Sequence, residues 1–501
     1  MSKDKKQLHV NLFEMACVVH HSTGLWAEPG DQRPRIAEIG FWTELAQLLD
    51  HGGFDALFLA DVLGVYDHLG LEEELLCGHQ IPTLDPLSLI PAMAAVTSGL
   101  GFGATFSTTY EPPFAFARRA STLDFLTHGR FAWNIVTSYL TNAAENFGLG
   151  GQLAHDDRSR IADEYLDVLY KLWEGSWDDD AFVLDRARRV VFDPAKVRYI
   201  DHVGEHFRVK GPHLTHPSPQ RTPFLFQATG SNAGKEFAAR HAEALFTFGS
   251  AENRADVRAR LVRHGRQPGD IKFFPGGTII TGRSDLEVKK KEERYHRVIF
   301  EQSPLHPARL GVDLRRFQPE ETVGEISQRR EPGWERIVRA GYGIASTTIG
   351  SLIERQKSGG RFGPERGGFY VAGTPKVAAD AVEKWLDEDG IDGINLRQFA
   401  SFETARDFIE LVVPELRSRG RYREAYVPGE TLRERVFGAG RARLPDYHFG
   451  ARYRDPAKLR EPRPPLVYPE VAPEVKRRES QRDKNVALAI PAAPSAENAQ
   501  P

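Results

Sequence analysis

A recurring unit constrains this chain more than any other feature: a short apolar run without alternation, then a stretch with helical spacing. Phe54 to Ala60 (FDALFLA) is nearly all apolar and is followed at once by Asp61. A strand wet on one face alternates, so such a run suits a strand covered on both faces, as in a parallel sheet. Val10 and Leu12 mark a strand ahead of it, and Ile36 to His51 carries apolar residues at helical spacing until Gly52-Gly53. Asp85-Pro86 supplies an N-cap and a proline at the first helical position, opening a helix to about Thr97 before the strand run GFGATF. A helix over 114–128 and a strand over 131–136 (FAWNIV) continue the series. Pro223 to Ala228, Ala244 to Phe248, Ile271 to Thr278 and Gly393 to Leu396 are further strands, with helices near 232–241, 252–264 and 375–389. Alternation of this kind gives a doubly wound sheet or a (β/α)8 barrel, and about eight units in roughly 400 residues select the α/β class as a TIM barrel with insertions.

Three stretches break the repeat: 62–84, 176–222 and 296–370. Long irregular segments of compact enzymes are commonly lids or binding loops, and all three are expected to line the mouth of the barrel. The barrel domain is expected over 1–429. Residues 430–501, rich in proline and charge towards the end, are expected to be an extended or partly disordered C-terminal extension, or an arm on a second subunit. Apolar helices around a barrel rim, with that tail, suggest a homodimer or homotetramer.

Composition removes several functions. Lys+Arg 66 against Asp+Glu 69 gives a net charge of -3, no global field for nucleic acid or an anionic membrane. Two cysteines, Cys17 and Cys77, build neither a disulfide framework nor a four-cysteine zinc site, which fits a reducing cytoplasm. No signal peptide and no membrane-spanning run is evident. The histidines show no HExxH and no ligand spacing, so no metal is expected. GxSxG is absent.

What remains is a set of neutral polar groups at strand ends. Asp61 sits where barrel enzymes place ligand-binding side chains, although a turn or cap role competes. Asn134 stands inside an apolar strand, where a buried amide costs free energy unless hydrogen-bonded, and Thr137 and Ser138 follow it. A satisfied structural asparagine is the competing reading. ATGSNAGK (228–235) follows a strand and opens a helix at about Asn232, so its backbone N–H groups and helix dipole suit a phosphate. It is no Walker loop, because Glu236 replaces the magnesium-binding Ser/Thr. Gly-rich 99–103 precedes a strand, the wrong context for a dinucleotide fingerprint.

In order, FDALFLAD, DPLSLIPAMAAVT, STTYEPPFAFARRASTLDFLTHGRFAWNIVTSYL, HDDRSRIADEYLDVLYKLWEG, VGEHFRVKGP with SPQ, and QATGSNAGKEFAARHAE resemble the bacterial-luciferase-like flavin monooxygenases. The subfamily is that of nitrilotriacetate monooxygenase component A, dibenzothiophene sulfone monooxygenase and long-chain alkane monooxygenase, and the match runs over roughly residues 8–425. The resemblance implies FMN, supplied reduced by a separate NAD(P)H:flavin reductase, which forms a C4a-(hydro)peroxide with O2 and oxygenates a small organic substrate. It implies a flavin site of Asp61, Ser107, Thr108, Asn134, Ser138, His155, Ser159, Gly230 and Ser231, with Asn134 facing the ring and Ser231 holding the phosphate. The family pattern HDxRY is HDDRS here, so Ser159 replaces a tyrosine. His20, six residues before Trp26, is the leading proton-transferring residue, with a plain loop histidine as the competing reading. Rival implications are a riboflavin-lyase activity, a deazaflavin-dependent oxidoreductase and a flavin-binding protein without turnover.

Overall fold

In the computed structural model the described residues are 5–22, 24–66, 71–246, 250–302, 314–329, 334, 337, 345–357 and 369–466. Ten strands, numbered in chain order, form one parallel sheet: β1 (His9–Met15), β2 (Ala56–Ala60), β3 (Gly101–Ser107), β4 (Phe131–Val136), β5 (Phe224–Ala228), β6 (Ala244–Phe246), β7 (Lys272–Phe273), β8 (Gly276–Thr281), β9 (Phe369–Gly373) and β10 (Gly393–Arg397). β1 to β6 pair in sequence order, β6 pairs with β7, and β10 pairs with both β8 and β1. Phe274-Pro275 joins β7 to β8 as one broken stave, and Asn395 donates its backbone N–H to the Pro275 carbonyl at 2.8 Å. The barrel therefore closes with eight staves, as the repeat predicts.

The sequence places the seventh strand over 271–278, and the structure splits it. Pro275 has no N–H to give the ladder, so pairing stops there and resumes one residue on. β9 lies outside the eight-stave count, paired with β8. It begins inside the stretch taken as the 296–370 insertion, a correction to that boundary. The described part of this insertion has its own apolar cluster, including Leu314, Val323, Trp334 and Leu352.

Around the sheet run α1 (Ile39–Gly52), α2 (Pro86–Ala94), α3 (Pro113–Leu126), α4 (His155–Tyr170), α5 (Asn232–His241), α6 (Ala251–Arg263), α7 (Asp285–His296) and α8 (Pro375–Asp387). Asp85 caps α2 as expected, its carboxylate accepting from Leu87 N–H at 3.0 Å. Inside the barrel Phe13, Phe58, Phe226 and Phe274 interlock, with ring centroids 5.2 to 5.8 Å apart along the series, and Phe246 closes on Phe13 at 4.9 Å. Gly103 makes this layer possible, since a Cβ there would stand 3.3 Å from the Phe58 ring. The barrel interior is thus filled by side chains below its C-terminal rim. No described helix is long and apolar enough to cross a membrane.

Two expectations are corrected. The 176–222 insertion follows α4 and precedes β5, so it sits at the end of the barrel opposite the mouth. It forms two antiparallel hairpins, Phe182–Asp185 with Val190–Phe192 and His202–Val203 with Arg208–Val209, and contributes nothing to the rim cavities. Residues 430–466 are no loose extension. Leu432, Tyr453 and Leu459 are buried, and the fully buried Arg433 donates to Glu243 at 2.6 Å and to the carbonyls of Thr222 and Pro223. A guanidinium can be buried when every donor is spoken for, and here carbonyls at the lower end of β5 speak for them. Residues 467–501 lie outside the described ones.

His213 carries a stability prediction. Its ring is buried against Ser121, with Nε2 2.9 Å from Oγ, and burial alone lowers its pKa from 6.5 to about 4. The unfolded chain takes up a proton at this residue as pH falls through 6.5, whereas the folded chain does so only near 4. Stability is therefore lost across that window, by up to about 3 kcal/mol from this group. His213→Gln should flatten the fall in Tm between pH 6.5 and 4, measured by thermal unfolding. An equally steep fall in the variant would reject the assignment.

Candidate active site

Two adjoining cavities occupy the C-terminal rim of the barrel. The first, about 320 Å³, lies between the ends of β2, β4 and β5 and the first turns of α4 and α5. The second, about 440 Å³, lies between β2, β3 and the 62–84 insertion. Asp61, Val62, Leu63, Val136 and Ser138 line both, so they form one continuous cleft.

Five of the ten expected site residues, Asp61, Ser107, Ser138, Ser159 and Ser231, line this cleft. Asp61 stands at the junction, Ser107 faces the second cavity, and Ser159 and Ser231 face the first. Ser138 is held at φ 54°, a left-handed conformation rare for serine, and its Oγ donates to Ser107 Oγ at 2.9 Å. Strain of that kind concentrates where side chains must be aimed. Ser231 is the N-cap of α5: its Oγ accepts from Gly234 N–H at 3.1 Å, leaving other N–H groups of the first turn free for an anion. Gly230 precedes that cap without lining either cavity. Thr108 spends its hydroxyl on the Val136 carbonyl at 3.3 Å and also lines neither. The backbone of His155 opens α4, and its side chain lies outside the described part of the structure.

Asn134 sits in the barrel interior one layer beneath the rim, its amide donating to Thr105 Oγ1 at 2.9 Å. Its Oδ1 is buried without a partner among the described residues. His20 lies beside the rim cavities and lines neither. It is 8% exposed, packs edge-on against Phe13 and stacks on His21, and its Nδ1 is 3.7 Å from Glu14 Oε1. Burial lowers its pKa below 6.5, so the ring is neutral at pH 7 and able to accept a proton.

Sequence reasoning missed two residues. Arg158 lines the first cavity between Ser138 and the α5 N-terminus. It donates to the Ser138 carbonyl, no described carboxylate pairs with it, and its Nε is buried without a partner. An inward-facing guanidinium with spare donors, next to a helix N-terminus, is suited to an anion. Gln227 also lines this cavity, with Nε2 donating to the Gly234 carbonyl at 3.3 Å and Oε1 buried and unpartnered. The signal that exposes Asn134, a lone amide in an apolar strand run, was equally present in PFLFQA.

Burial, reinforced by the charge of Asp85, raises the Asp61 pKa to about 7. Below that pH its carboxyl is neutral, and above it the carboxylate repels an anionic ligand. Affinity of the cleft for an anionic ligand should therefore fall as pH rises through about 7, and Asp61→Asn should remove that limb of the profile. Anaerobic titrations from pH 6 to 8.5 read the effect, and identical profiles for the two proteins would exclude Asp61 from the ligand's surroundings.

The structure is a barrel with a partly polar cleft on its C-terminal rim, and sequence comparison supplies the family. The chain belongs to the luciferase-like monooxygenase family, whose profile matches residues 15–351. It is 45% identical over 461 residues to the long-chain alkane monooxygenase of Geobacillus thermodenitrificans strain NG80-2, covering 90% of this chain and 98% of that protein. It is 41% identical over 460 residues to the dimethyl-sulfide monooxygenase of Hyphomicrobium sulfonivorans, covering 90% and 94%. Among solved structures, that of a long-chain alkane monooxygenase superposes with a TM-score of 0.80 over 90% of this chain and 100% of its own. That of a riboflavin lyase, with modified FMN and substrate riboflavin, does so at 0.78, with 34% identity over the same shares.

Proposed function

We propose that the chain is the oxygenating component of a two-component monooxygenase that binds reduced FMN in the first cavity and transfers one oxygen atom of O2 to a small organic molecule in the second. The observation carrying this reading is the set of uncommitted groups around one cleft. Arg158 and the α5 N-terminus offer donors for a phosphate, and the buried Gln227 Oε1 offers an acceptor for the N–H edge of a heterocycle, with the unpartnered Asn134 Oδ1 one layer below, lining neither cavity. That donor set fits FMN, which when bound in reduced form supplies the activation of O2. The protein's own work is to hold and enclose it. Arg158, Ser159 and Ser231 take the phosphate, Ser138 and Ser107 fix the rim, Asp61 separates cofactor from substrate, and Val62, Leu63, Ile81 and Leu84 keep water from the second cavity. His20, neutral and backed by the buried Glu14, accepts and returns a proton.

No dinucleotide-binding turn is present in the sequence, so the reduced flavin comes from an NAD(P)H:flavin reductase acting as partner. A homodimer or homotetramer belongs to the same reading, and the exposed Phe182, Val183, Leu184 and Phe192 of the 176–222 hairpin give two copies an apolar face to share. The test uses photoreduced FMN, 18O2 and a panel of alkanes, thioethers, sulfones and riboflavin. Product carrying one labelled oxygen is the expected result. Cleavage of riboflavin as the sole reaction would move the chain to the lyase reading, and peroxide release with no labelled product would defeat both.

A further inference from the structure

The second cavity has chemistry of its own. Its walls are largely apolar, formed by Val62, Leu63, Ile81, Leu84 and Phe106. Among the described residues its ionisable lining is Asp61, Asp85, Glu111 and Arg119. The one cation among these is committed, since Arg119 Nη2 lies 3.1 Å from Glu111 Oε2. Asp85 spends its carboxylate on Leu87 N–H and on Ser88 Oγ at 2.6 Å, neither of which cancels its charge. One further polar atom waits for a partner: Thr83 Oγ1 is buried and makes no hydrogen bond among the described residues.

We infer that the second cavity selects neutral or cationic molecules with an apolar body and one hydrogen-bonding group, and rejects carboxylate- and sulfonate-bearing ones. This rests on the flavin reading of the adjoining cavity. Asp85 and Glu111, with Asp61 about half ionised near pH 7, outweigh one paired guanidinium and leave excess negative charge at the entrance to a mostly apolar space, where an arriving anion meets a repulsion that salt screens. An anion entering there gains no cation and loses its hydration, and a built-in like charge is an efficient way to reject a competitor. A neutral thioether, alkane or alcohol loses little, while an ammonium group meets Asp61 and Asp85. Thr83 offers its hydroxyl to the ligand's polar atom. A tricarboxylate is the kind of molecule this cavity is least suited to hold.

The experiment is calorimetric and needs no turnover. The protein is first titrated with FMN, which tests the flavin reading separately. The loaded protein is then titrated with three matched probes: butyl methyl sulfide, 4-(methylthio)butylamine and 4-(methylthio)butanoate. The carboxylate should bind at least about tenfold more weakly than the other two. Glu111→Gln, which removes one negative charge and frees Arg119, should close most of that gap, as should raising the salt. Loading with FMN followed by equal affinities, tighter binding of the carboxylate, no binding of any probe, or an unchanged gap in the variant overturns the inference. Failure to load FMN at the first step overturns the reading beneath it instead.

Discussion

Ser231→Asp is expected to weaken binding of reduced FMN by roughly a hundredfold or more, as like charge replaces a hydrogen bond at the phosphate. The substitution isolates charge from structure. Ser231 has the extended backbone of an N-cap, φ -81° and ψ 158°, and aspartate caps helices as well as serine does. α5 should therefore keep its first turn and the protein its Tm, while a carboxylate stands where the phosphate belongs. Ser231→Asn is the control, with the same cap and no charge, and should bind nearly as the parent does. Parent-like affinity in the aspartate variant would place the phosphate elsewhere.

His20→Ala is expected to slow product formation by about 10²- to 10⁴-fold, the usual span of a general acid–base contribution, with flavin affinity almost unchanged. The two readouts separate because His20 lines neither cavity, yet is held between Phe13 and His21 near the C-terminal rim. Its Glu14 neighbour is itself fixed, accepting from Gln398 Nε2 at 2.6 Å, so a carboxylate stands near the imidazole at a set place. Removing the imidazole should also erase a limb of the pH–rate profile below pH 6.5. Loss of flavin binding without a change in that profile would make His20 a packing residue.

The barrel was legible because a strand buried on both faces has no polar alternation. FDALFLA, FAWNIV and PFLFQA each mark a stave, and the helix read over 232–241 is α5 as observed. Two parts were hidden for physical reasons. FYVAG forms β9, but it is short and follows a Gly- and Arg-rich stretch whose composition reads as loop. Residues 430–466 look solvated because they are rich in arginine, and nothing in a composition says that Arg433 is buried on Glu243 or that Arg435 donates to the Gly99 carbonyl at 2.6 Å. Those partners are far away in the chain. In the site, residues at strand ends could be found by position alone. Arg158 could not, since a helical arginine next to Asp157 reads as a surface ion pair until the fold turns it inward.

The central claim is that this cleft holds reduced FMN by its phosphate, and one comparison tests it most directly: anaerobic equilibrium binding of photoreduced FMN against photoreduced riboflavin, which shares the ring and ribityl chain and lacks the phosphate. The clamp of Arg158 and the α5 N-terminus predicts saturable binding of one FMN per chain, at least about a hundredfold tighter than riboflavin. Equal affinity for the two, or tighter binding of riboflavin, would contradict the account.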